Sequence, residues 1–210
     1  MNMQAIQSIA FDLLGSKSSH VFKEKGNKYY HGQRVAVLVL KLRRLILPDD
    51  DSHDDILTAA AWMHDVTNGT DNHAVTGAAI AKEALQPHCS PEELSEICEI
   101  IRVHDDRKPK GSSFSEYIKL HQDADYLDHF GTFDVWGSFL YAKYHGYTIN
   151  EASDWLKNGR PKENERFRSE LHYEVSRKIF DEKIEFLNSF TERFYVETAG
   201  GIWNEERLTR

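Results

Sequence analysis

Eight residues without a charge, Ile56-Leu57-Thr58-Ala59-Ala60-Ala61-Trp62-Met63, run directly into His64-Asp65. The run reads as a buried helix, so the rest of the chain must close around its C-terminal end. An imidazole and a carboxylate side by side at such an end are costly unless something compensates them. A divalent metal is the usual compensation, because it takes a neutral imidazole and a carboxylate together. His31 stands upstream and Asp123-Ala124-Asp125 downstream, completing an H…HD…D order.

Apolar residues elsewhere keep the helical period. Ala5, Ile6, Ile9, Ala10, Leu13 and Leu14 predict a first helix, and Tyr30 to Leu47 a second. Pro48 and the acids Asp49, Asp50 and Asp51 end the second; Ser52 or Asp54 caps the third, which runs to Met63. A fourth is expected over His73 to Leu85. Ser90-Pro91-Glu92-Glu93 spells a helix start, with Ser as cap, Pro in the first turn and Glu three residues after the cap. The fifth helix it opens runs toward His104, and a sixth covers roughly Ser115 to His129. Further helices are expected over about Phe133–Tyr144, Asn150–Leu156 and Arg166–Glu197. No segment alternates as a strand, and no repeat or linker interrupts the pattern. The expectation is one all-α domain across residues 1–210, with its core over about 5–200.

A net charge of −8 argues against a general nucleic-acid surface and leaves room for a local basic pocket. Cys89 and Cys98 match neither a zinc spacing nor a disulfide framework, which suits a reducing cytoplasm. Met1-Asn2-Met3-Gln4 shows no signal-peptide pattern, and no stretch approaches the roughly 18 apolar residues of a membrane helix. Glycine-rich phosphate loops and a GxSxG nucleophile elbow are absent.

His31 opens the second helix, and Arg34 lies one turn on, facing the same side. Asp125 falls inside the sixth helix, four residues after His121. Two histidines and two carboxylates form a mixed N/O set that suits Mn, Fe, Co, Ni, Mg or Zn with open water positions. Water on such a metal becomes hydroxide near neutral pH, and the metal polarises a phosphoryl oxygen. Both effects favour hydrolysis of a phosphate ester or anhydride. Spacing alone does not select these residues, since 11 histidines and 34 acids produce the same order by chance. Lys28, Arg34, Arg102, Arg107 and Lys108 flank the candidate ligands, and Tyr126 and Trp136 are among the aromatics able to stack a base.

Three segments, in this order, resemble the HD-domain superfamily of metal-dependent phosphohydrolases. They are Tyr30-His31-Gly32-Gln33-Arg34, Ala61-Trp62-Met63-His64-Asp65-Val66, and Gln122-Asp123-Ala124-Asp125-Tyr126-Leu127-Asp128-His129-Phe130-Gly131. The last looks like the QDADRLDAIG segment of a small bacterial branch that includes nucleoside-triphosphate pyrophosphohydrolase-like proteins. Glu99 to His104 and Phe186 to Gly200 are similar to further segments of that branch. The resemblance implies His31, His64, Asp65 and Asp125 as ligands of a divalent metal (Mn, Mg, Fe, Co or Ni). Asp125 is preferred by its match to the family's AD.L element; Asp123 remains an alternative ligand, or an acid that orients a ligand or water.

The same resemblance gives catalytic roles to Asp65, His73, His104 and Asp123; His73 and His104 would bind substrate phosphate, assist proton transfer or ligate a second metal. Substrate contacts fall to Arg34, Lys28, Lys108 and Tyr126. The chain departs from relatives after His64-Asp65, where Val66-Thr67-Asn68-Gly69 lacks the acids of ppGpp-hydrolysing and HDxxE nucleotidase branches. It departs again at Tyr126, where the nearest branch has Arg. The expected activity is metal-dependent hydrolysis of a small phosphorylated molecule, a nucleotide, with pyrophosphohydrolysis favoured. A monomer or homodimer in the cytoplasm would do this, with no nucleic-acid polymer or membrane as partner. The rivals are a di-iron oxygenase of the same superfamily and a non-catalytic nucleotide-binding module.

Overall fold

The computed structural model describes residues 1–19, 21–107, 113–159 and 163–208. Among them the chain is all helix, without a strand. The helices are α1 (Met3–Leu14), α2 (Asn27–Ile46), α3 (Asp54–Met63), α4 (His73–Leu85) and α5 (Pro91–Arg102). They continue with α6 (Glu116–Asp128), α7 (Thr132–Tyr144), α8 (Ile149–Asp154), α9 (Asn164–Glu170) and α10 (Glu174–Thr198). No helix among the described residues is long and apolar enough to cross a membrane.

The uncharged run is α3, and it lies at the centre. Ile56, Leu57, Ala59, Ala60, Ala61 and Met63 are all buried. α2 and α5 pack against it, and α2 in turn packs on α6. Small residues set how closely these helices approach. A Cβ on Gly32 would stand 2.7 Å from the Ala61 carbonyl oxygen and 3.3 Å from the Trp62 Cα. Glycine there brings α2 nearly into backbone contact with the end of α3, which places His31 beside His64.

The start signals are partly as expected. Ser90 Oγ accepts from the Glu93 N–H at 3.2 Å while Glu93 Oε2 accepts from the Ser90 N–H at 2.8 Å, a complete capping box. α2 begins at Asn27 rather than Tyr30, because Gly26 turns the chain in the left-handed region at φ 73°. The α3 cap differs from the expected Ser52 or Asp54: His53 holds that position without a side-chain cap bond. Ser52 Oγ bonds Asp50 instead, at 2.6 Å, and the Asp54 carboxylate receives Arg43 through Nε at 2.7 Å and Nη2 at 2.5 Å.

The helix expected over Arg166–Glu197 is two helices, α9 and α10, separated at Leu171-His172-Tyr173. Leu171 is extended, with ψ 134°. The cause lies far away in sequence. Asp123 in α6 takes the His172 N–H at 2.9 Å and the Tyr173 N–H at 3.1 Å. A buried carboxylate thus satisfies N–H groups at the start of α10 that a continuous helix would have paired internally. α10 then packs across α8, α6, α2 and α7.

Candidate metal centre

The ends of two helices prepare their histidines in the same way. His64 follows the last residue of α3, and its Nδ1–H donates to the Ala61 carbonyl at 2.8 Å. His104 follows α5, and its Nδ1–H donates to the Ile101 carbonyl at 2.7 Å. Carbonyls of a final helical turn lack intrahelical donors, so an imidazole three residues on satisfies one of them. Each bond fixes the tautomer and leaves Nε2 as the lone-pair nitrogen. His31 is set from α6: its Nδ1–H donates to Asp128 Oδ2 at 2.7 Å.

The freed nitrogens converge. His31 Nε2 lies 3.2 Å from His64 Nε2 and 3.0 Å from Asp125 Oδ1. Asp65 Oδ2 is 3.8 Å from His31 Nε2 and 3.5 Å from His64 Nε2, and Asp125 Oδ1 is 3.5 Å from His64 Nε2. All four residues are buried. With both imidazoles neutral, two ring nitrogens and two carboxylate oxygens facing one another have no hydrogens to share among themselves, so the arrangement calls for positive charge at its middle, a proton or a metal cation. Ligands held about 2.1 Å from one ion stand about 3.0–3.4 Å apart, close to these separations. The donor set therefore fits a divalent cation, and its N/O composition does not by itself select the element.

Charge around the cluster is arranged to keep the carboxylates ionised. Burial would raise the Asp65 pKa, but His64, Lys28 and His31 hold it well below the ordinary range. Burial likewise opposes ionisation of Asp125, and hydrogen bonds with His129, His31 and His64 outweigh it. Lys28 Nζ pairs directly with Asp65 Oδ2. Arg107 holds the other side of Asp125, with Nη2 on Oδ2 at 2.7 Å and Nη1 on the Gln122 carbonyl at 2.8 Å.

A second pair of imidazoles faces the far side of Asp65. His73 Nε2 and His104 Nε2 are 3.2 Å apart, and they lie 3.9 Å and 4.0 Å from Asp65 Oδ1. Burial and the neighbouring His64 push the His104 pKa down to about 4. His121 packs edge-on to His64 at 5.2 Å, and neither of its ring nitrogens has a hydrogen-bond partner among the described residues. Burial keeps it neutral.

The structure brings together His31, His64, Asp65 and Asp125, with His73, His104 and Lys28 alongside. It does not bring Asp123 to them, since both oxygens of that carboxylate hold the start of α10. Tyr126 is engaged elsewhere: its hydroxyl donates to Glu170 at 2.6 Å, and its ring lies under Arg107 and against Phe167. Arg34 reaches the site through Asp128, donating to it from Nε at 2.9 Å and Nη2 at 2.8 Å. Lys108 lies outside the described residues. Sequence reasoning gave no role to Asp128 or His129. Their positions three and four residues after Asp125 put them on its helix face, which is the signal that would have found them. His129 Nε2 stands 3.6 Å from Asp125 Oδ1. A cavity of about 360 Å³ opens beside the cluster, with His31, His129, Lys28 and Arg34 in its wall.

The HD domain family model matches residues 29–129. No curated protein matches the chain. Solved structures share its fold over nearly its whole length. A predicted HD superfamily hydrolase from an uncultured Thermotogales bacterium is 21% identical at TM-score 0.62, covering 92% of this chain and 91% of that one. An HD-superfamily hydrolase from Bacillus thuringiensis is 19% identical at TM-score 0.65, covering 95% and 99%. Bacillus subtilis YpgQ in complex with ADP is 18% identical at TM-score 0.60, covering 91% and 92%.

Proposed function

We propose that this chain, which carries an HD domain over residues 29–129, is a metal-dependent phosphohydrolase acting on a nucleotide. The observation that carries this reading is the convergence of Asp65 Oδ2 and Asp125 Oδ1 on His31 Nε2 and His64 Nε2, each carboxylate oxygen lying within 3.8 Å of both ring nitrogens. These four residues would hold the ion. A bound divalent cation supplies Lewis acidity and lowers the pKa of water. The nucleotide assignment is supported by the cations beside the cluster and by the similarity to YpgQ, whose structure is a complex with ADP. Cleavage of the phosphate anhydride, releasing pyrophosphate, is the favoured form. We read all 210 residues as one such unit, working in a reducing cytoplasm that suits the free thiols of Cys89 and Cys98.

The chain's own groups divide the remaining work. Lys28 stands between Asp65 and the cavity and meets phosphate oxygens with its ammonium. Arg34 uses Nε and Nη2 to hold Asp128 and lines the cavity, where its guanidinium offers a second phosphate contact. His104 is neutral with Nδ1–H fixed on Ile101, so its Nε2 accepts from His73 Nε2–H. His73 is partly exposed and passes the proton between this pair and solvent.

Asp65 Oδ1 faces His73 and His104, which favours a second reading with two metals per chain. That centre serves either a two-metal hydrolase or a di-iron oxygenase. Metal content of the purified protein is measured first, then phosphate and pyrophosphate release from a nucleotide panel with Mn²⁺, Co²⁺ or Mg²⁺. Release that needs metal and disappears in Asp65→Ala supports the hydrolase. Two irons with oxygen consumption and no phosphate release support the oxygenase instead.

A further inference from the structure

One face of α7 lies open beside the metal-binding cluster, and nothing in the mechanism above uses it. Phe133, Trp136, Gly137 and Leu140 fall at i, i+3, i+4 and i+7, a single stripe, and all four line the cavity that also contains His31 and His129. The stripe is apolar yet faces water: Phe133 is 41% exposed and Trp136 54%. Gly137 is the opening in it, because a Cβ there would meet nothing within 4 Å among the described residues.

The same cavity also carries charge. Lys23 and Lys28 stand with Arg34 near the cluster, in a protein of net charge −8. Arg34 also lies 3.9 Å over the Phe133 ring, which joins the cationic groups to the aromatic ones. Lys23 makes no hydrogen bond or ion pair among the described residues, and burial with Lys28 nearby lowers its pKa. A cation in that state gains most from an anion. Glu24 and Asn27 add polar groups at the rim.

A cavity lined by cations, aromatic rings and polar groups fits a polyanion attached to a flat polar ring. We propose that the α7 stripe is the base subsite for a nucleoside polyphosphate. Its base stacks on Trp136 over Gly137, and its phosphates lie between Lys23, Lys28 and the His31/Asp125 cluster. The subsite rests on the nucleotide-hydrolase reading, and it adds the residues that distinguish a nucleotide from bare polyphosphate. A volume of about 360 Å³ suits one mononucleotide.

Calorimetric titration tests it, using α,β-methylene ATP, which resists cleavage, and inorganic tripolyphosphate, both with Mn²⁺. The variants are Trp136→Ala, which removes the stacking surface, and Gly137→Leu, which fills the slot from a position where a side chain meets open space. Wild-type protein is expected to prefer the nucleotide by about tenfold or more, and each variant to cut that preference about tenfold. Equal affinity for the two ligands in wild type overturns the proposal, as does a preference that both variants leave intact. A shift in sedimentation without a change in preference also overturns it, since a second copy of the chain would then cover the stripe. Hydrolysis of ATP is scored separately. Hydrolysis without a base preference removes the subsite and keeps the enzyme; a preference lost in the variants without hydrolysis keeps the subsite and removes the enzyme.

Discussion

Asp128 accepts the Nδ1–H of His31 at 2.7 Å and is itself gripped by the Arg34 guanidinium at 2.8 Å and 2.9 Å. The chain Arg34–Asp128–His31 fixes the orientation of one imidazole from outside the cluster. Partners of this kind typically contribute about 10- to 100-fold in metal affinity. Asp128→Asn is expected to weaken Mn²⁺ binding by that order while the helical circular dichroism is retained. Unchanged affinity would mean that packing alone orients His31.

His31 also predicts a pH dependence. Burial would lower its pKa, but hydrogen bonds with Asp125 and Asp128 raise it above the ordinary 6.5. With a raised folded-state pKa, the protonated imidazole stabilises the metal-free fold fully below about 6.5, and this contribution is lost as pH rises through the folded value. The metal needs the same Nε2 without its proton, so metal affinity moves the opposite way and falls with acidification. Melting midpoints of the metal-free protein should drop, and Mn²⁺ affinity should climb, between about pH 6 and pH 8. Affinity independent of pH across that window would show that His31 is not a ligand.

Gly32 tests the close approach of α2 to α3. A methyl group there would meet the Ala61 carbonyl at 2.7 Å, and that carbonyl is the acceptor that orients His64. Backbone atoms yield little, so Gly32→Ala should cost about 1–3 kcal/mol in a denaturant titration. The same variant should lose metal affinity, because moving the carbonyl turns the imidazole. A stable variant with wild-type affinity would show that the two helices can part without disturbing His64.

The two aspartates of the Asp123-Ala124-Asp125 segment should behave differently. Asp125→Ala removes an oxygen 3.0 Å from His31 Nε2 and is expected to abolish stoichiometric metal binding. Asp123→Ala leaves the His172 and Tyr173 N–H groups without their acceptor and should destabilise the fold by about 1–3 kcal/mol. Metal titration of the folded fraction should still reach wild-type stoichiometry. Loss of metal in a folded Asp123→Ala protein would bring that carboxylate back as a ligand.

Much of the framework is legible along the chain. The apolar period gives the helices, Ser90 and Glu93 mark the start of α5, and the uncharged run gives the buried α3. His64 and Asp65 stand out because they end an uncharged run, and His31 and Asp125 join them through the resemblance to a known family. The break between α9 and α10 is not legible, because its cause is Asp123, roughly fifty positions earlier in the chain. The same distance effect hides Arg34 behind Asp128 and ties Tyr126 to Glu170.

The sequence by itself determined an all-helical chain, since helical periodicity is a local property, and its resemblance to a known family marked His31, His64, Asp65 and an acid near position 125 as candidate ligands. Only the tertiary structure decided what Asp123 and Asp125 each face. Both acids sit in α6 two residues apart, on different sides of a helix that turns about 100° per residue, and what each side meets depends on which helices pack there. Packing put α2 and α3 against the Asp125 side and the start of α10 against the Asp123 side. It also left one face of α7 open beside the cluster, which no property of that helix alone could foretell.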